Sequence, residues 1–167
     1  MRERTVIVEL AQLEAAHLTD LVEQFAELIV DSGAHEAPED PAVARLMPDA
    51  YRDDPGASQE FRDLTRTDLL TRRAEDASTV LASLQLDGRR LSPTDFDPAQ
   101  AQEAMTVRLD SAQSAAWLRT LAAVRLVLAN RLGVTDEDDH DADDPRFGVY
   151  DWLGFRLEGL LHALDSA

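Results

Sequence analysis

The chain has 167 residues, 44% hydrophobic and 29% charged, with 33 acidic against 16 basic residues and a formal net charge of −17. That length suits one core and one domain, and no window approaches the ~18 consecutive apolar residues of a membrane span. A body this anionic repels a nucleic-acid backbone at long range and attracts basic protein surfaces, while the absence of cysteine excludes disulfides, thiolate nucleophiles and thiolate metal sites.

At the N-terminus, "TVIVEL" alternates as a strand does. Glu9 and Glu14 interrupt what an export signal would need as an apolar core, so a cytoplasmic location is expected. From Ala11 to Asp31, Leu18, Leu21, Val22, Phe25, Leu28 and Ile29 recur at helical spacing, and Ser32-Gly33 supplies the stop. Asp40-Pro41 then reads as an N-cap followed by the proline favoured in a first helical turn, opening a short helix through Met47 that Pro48 ends. Asp54-Pro55 repeats the start signal, and Ala57 to Leu84 reads as one long helix with a candidate break at Thr65 to Thr67.

"DGRR" is a turn, "SPTDFDPAQAQEAM" a short helical piece, and "TVRLD" a second alternating strand. Asp110 with Gln113 resembles a capping box opening a helix from Ser111 to Leu132, and Gly133 is a typical residue just past a helix end. This helix is apolar around most of its circumference and is expected to form the buried centre. Asp144-Pro145 starts the last helix, whose apolar excess implies packing on more than one side or a face left for a partner, a symmetric homodimer included. The expected fold is therefore mainly α: a single-domain bundle of five or six helices over 1–167. The two extended pieces are candidates for a short two-stranded ribbon, and an acidic mobile loop is expected at 136–144.

The acidic loop holds seven of the 33 carboxylates, so the negative charge is a property of the whole chain. As an EF-hand it fails: from Asp136 the sixth and twelfth positions are Asp141 and Phe147, and from Asp138 they are Asp143 and Val149, where Gly and Glu are required. His17, His35, His140 and His162 show no i, i+4 pairing and read as scattered surface or boundary residues. No GxSxG, P-loop, GxGxxG or HExxH occurs. No metal, cofactor or catalytic residue is expected, and no enzymatic role.

Arg125 lies on the line Leu118, Leu121, Arg125, Leu128, Leu132, the expected core line of the most apolar helix. A guanidinium cannot shed its charge on burial, so a carboxylate such as Asp49, Glu60 or Asp151 is expected to face it. That arrangement would be a structural ion pair joining helices, or else part of a partly open pocket or a partner contact. In the Asp40 to Pro55 segment, Arg45, Tyr51 and Arg52 are residue types enriched in interface anchors. The segment is either a clamp closing the bundle or a surface facing a partner.

Taken together, "DPAVARLMPDAYRDD", "EFRDLT", "AAWLRTLAAVRLVLANRLGV" and "VYDWLGFRLEGLLHAL" resemble, in order and spacing over nearly the whole chain, an actinobacterial family. It was first catalogued as a domain of unknown function and is now named for oxidative-stress transcriptional regulators of the AosR type. The all-arginine set of basic residues agrees with a high-GC source. The resemblance implies a cytoplasmic helical protein controlling transcription under oxidative stress through contact with a sigma factor or RNA polymerase component, and associated with cysteine biosynthesis. Some members are proposed to sense oxidant through a cysteine pair, which this chain lacks. The alternative is a structural or adaptor protein linked to Clp proteolysis or cysteine biosynthesis with no transcriptional role. Direct DNA binding is not expected.

Overall fold

The computed structural model describes residues 3–33, 39–47, 53–134 and 140–166, apart from the Arg62 side chain. Along the chain these form β1 (Val6–Ala11), α1 (Gln12–Ser32), α2 (Pro41–Ala44), α3 (Pro55–Ser83), α4 (Pro98–Gln102), β2 (Ala104–Leu109), α5 (Ser111–Leu132) and α6 (Gly148–Ser166). Single 3-10 turns precede α4, at Pro93–Asp95, and α6, at Pro145–Phe147. The protein is a mainly α single domain with a small ribbon.

Aspartate followed by proline opens four of these pieces. Asp40, Asp54, Asp97 and Asp144 each accept a hydrogen bond from a backbone amide of the turn they cap, and the proline behind each sits where its missing N–H costs nothing. Asp110 opens α5 with a full capping box: its carboxylate accepts from Gln113 N at 2.8 Å, while the Gln113 side chain accepts from Asp110 N at 2.9 Å. Gly133 closes α5 in the left-handed region at φ 73°, and its amide and that of Val134 return to the last carbonyls.

The ribbon pairs residues almost a hundred positions apart. β1 and β2 run antiparallel with Val6 opposite Leu109, Val8 opposite Val107 and Leu10 opposite Met105. Strand alternation puts Val6, Leu10, Met105, Val107 and Leu109 on the buried face. β1 feeds α1 and β2 feeds α5, so this pairing sets where two of the four long helices begin. Leu18, Val22, Phe25 and Ile29 of α1, Ala77, Val80 and Leu84 of α3, Trp117, Leu121 and Val124 of α5, and Leu153 and Leu160 of α6 fill one core.

Two helix expectations change. α3 runs unbroken through Thr65 to Thr67. The hydroxyls of Thr65 and Thr71 turn back onto the carbonyls of Phe61 and Thr67, each at 2.9 Å, which satisfies them inside a continuous helix. On α5 the most buried stripe is Ser114, Trp117, Leu121 and Val124, whereas Leu118, Arg125, Leu128 and Leu132 are half-buried. The core line is thus rotated toward Trp117, whose indole Nε1 donates to Ser83 Oγ at 2.8 Å and so enters the core with its polar atom paired.

Ion pairs between elements add register. Arg90, after the Asp87-Gly88 turn, chelates Asp20 and Glu23 of α1. Arg119 of α5 grips Asp76 of α3 in bidentate fashion at 2.7 and 2.8 Å. Arg66 of α3 donates to the Ser32 carbonyl at the end of α1, and Arg131 of α5 holds both oxygens of Asp40, the α2 cap.

Replacing Asp110 by Ala removes both halves of the α5 cap. The expected loss is about 1 kcal/mol of unfolding free energy, read as a lower urea midpoint at unchanged slope. An unchanged midpoint contradicts this reading of the cap.

Candidate functional site

Trp152 of α6 stands between two recesses, and the residues that fix it come from the opposite end of the chain. Its indole Nε1 donates to Glu14 Oε2 at 3.1 Å. Arg156, one turn further on, donates through Nη2 to the same carboxylate oxygen and through Nη1 to the Glu9 carbonyl at 3.1 Å. One carboxylate at the β1–α1 junction therefore anchors two α6 side chains, and Arg156 also occupies an outward carbonyl of β1. Burial by itself raises the Glu14 carboxyl, but the hydrogen bonds from Arg156 and Trp152 outweigh it and hold the group below its ordinary value of 4.5.

On one side of Trp152 lies a trough along α1. Its first part, about 460 Å³, is bordered by Glu14, His17, Asp20, Leu21, Val149 and Trp152. Its second part, about 280 Å³, shares Leu21 and Gln24 with the first and continues over Leu28, Val124 and Val127 to Arg131. From Glu14 to Leu28 at 1.5 Å per residue the trough is about 20 Å long. Leu21, Phe25, Leu28, Val124, Val127, Val149 and Trp152 make its lining largely apolar, and the bordering Glu14 and Asp20 are bound to Arg156 and Arg90. Arg131 at the far end is bound to Asp40, whose carboxyl is held below its ordinary value by the Arg131 guanidinium, against the opposing effect of burial and with help from the Ala42 amide.

On the other side, a recess of about 270 Å³ opens between β1 and α6 and descends to Leu18, Trp117 and Leu121. Ile7 and Phe155, 55% and 67% exposed, stand at its mouth. Val149 and Leu161 are also exposed on α6, which accounts for part of the apolar excess of the final helix.

A third cluster joins the end of α5 to the start of α6. The Arg125 guanidinium lies 4.0 Å over the Tyr150 ring, and its Nε donates to the Tyr150 carbonyl at 3.3 Å. The side chain is half-buried on α5 and lies over an aromatic face. Asp151 is engaged elsewhere, 2.7 Å from His140 Nε2, and Glu60 is exposed on α3. Asp49 lies outside the described residues, as do Tyr51 and Arg52 of the candidate partner surface. Arg45 is described and exposed just after α2.

His140 lies at the boundary between core and surface, within the surface-or-boundary reading of the sequence, but with partners that the reading did not name. Only 8% of its side chain is exposed, and the ring packs at 4.4 Å from Phe147 and 5.5 Å from Tyr150. The spacing of histidines gave no sign of this, because the contact depends on the chain turning back onto α6. Within 136–144, positions 136–139 lie outside the described residues. The described part is folded: Asp141 accepts from the Asp143 amide and Asp144 caps the 3-10 turn. Among the described residues no cluster of three potential metal ligands occurs, and no helix is long and apolar enough to cross a membrane.

Gly154 shows how tightly Arg125 is packed. A Cβ there would lie 3.1 Å from the guanidinium Nε and Nη2. In a helix interior Ala ordinarily surpasses Gly by about 1 kcal/mol. Gly154→Ala is expected to forfeit that gain in the native background and recover it when Arg125 is also Ala, as read by urea unfolding of the four variants. Equal gains in both backgrounds contradict the packing argument.

The Glu14 anchor has a pH signature. Its carboxyl titrates lower in the folded chain than unfolded, so its contribution is complete above pH 4.5 and is lost as the pH falls through the folded value. Glu14→Gln is therefore expected to lower stability at neutral pH and to flatten the loss below pH 4.5, measured as urea midpoint against pH. Parallel curves for the two proteins contradict it.

No curated protein and no solved structure matches the chain. A family model described as "Domain of unknown function (DUF2017)" matches residues 1–164, and the chain belongs to that family.

Proposed function

We propose that this protein is a non-enzymatic regulator that works by docking, and that the α1 trough receives an amphipathic helix of a basic protein partner. The observation that carries the reading is the trough itself: a largely apolar hollow about 20 Å long, the span of roughly four helical turns, on a body of net charge −17 whose overall field, with Glu14 and Asp20 already bound to Arg156 and Arg90, supplies the attraction for a basic partner. Helix-in-groove recognition uses apolar anchors at i, i+3/4 and i+7 for affinity. Complementary charge speeds encounter and suppresses wrong partners. A second copy of the chain brings another −17 to the same rim, which favours a basic partner over self-association.

The sequence resemblance to AosR-type regulators suggests the partner class. On that reading the partner is a sigma factor or RNA polymerase component, and the setting is transcription under oxidative stress. With no cysteine in the chain, oxidant does not act through a thiol of this protein. The docking partner or a bound molecule carries the signal.

The test is binding of the purified protein to purified primary sigma factor and to RNA polymerase from the source organism, by biolayer interferometry at several salt concentrations. Saturable binding that weakens with salt, and that falls roughly tenfold or more in Val149→Arg, is the expected result. Val149 is 45% exposed, so this substitution leaves the core intact. Absence of binding to both, with recovery of Clp components instead, overturns the transcriptional reading in favour of the adaptor.

A further inference from the structure

We draw no further inference here: the strongest candidate, the apolar hollow between β1 and α6 with Ile7 and Phe155 exposed at its mouth, carries none, because nothing in the structure shows what covers it.

Discussion

One carboxylate at the junction of the first strand and first helix holds the last helix in place. Glu14 receives Arg156 and Trp152 together, across a sequence separation of 142 and 138 residues, while Arg156 also binds the Glu9 carbonyl. Without that clasp, α6 would meet β1 through apolar side chains alone, a contact that specifies burial but tolerates sliding, and only Arg125 on Tyr150 would tie its first turn to α5. With it, Trp152 is fixed as the wall between the trough along α1 and the recess under β1. Both openings are consequences of where this one helix is stopped.

The same economy governs the arginines. Arg66, Arg90, Arg119, Arg131 and Arg156 each bridge two elements, and all but Arg66 do so through short carboxylate contacts. Half-buried Arg73 donates to the Arg119 carbonyl, and its desolvation lowers its affinity for a proton despite nearby Asp76. Positive charge is thus spent on registering helices, and the excess of aspartate and glutamate is left at the surface. Individual exposed pairs of this kind contribute little to stability. Their larger effect is to define which helix faces meet, on a body whose net charge of −17 favours basic macromolecular partners.

Local punctuation made much of the fold legible in the sequence. Asp-Pro and Asp-x-x-Gln starts, the Asp87-Gly88 turn and Gly133 act through hydrogen bonds and φ preferences within a few residues, so reading them needed no tertiary information. The ribbon was also legible, because both strands alternate apolar and polar residues over the same length. What escaped was rotational. Periodicity on a helix as apolar as α5 cannot say which stripe lies deepest, so Arg125 was placed on the core line, when it lies half-buried over Tyr150. His140 was read as a surface or boundary residue with no partners named, because Phe147, Tyr150 and Asp151 meet it only after a turn. The trough and the recess are gaps between elements distant in sequence, and no motif encodes an empty volume.

Hydrogen exchange of the intact chain, compared between the native protein and Glu14→Gln at neutral pH, tests most directly whether the N-terminal clasp sets the position of the last helix. The account predicts faster exchange confined to α6 and the paired residues of β1, with α3 and α5 protected as before. Protection lost evenly over all helices, or unchanged in α6, would contradict it.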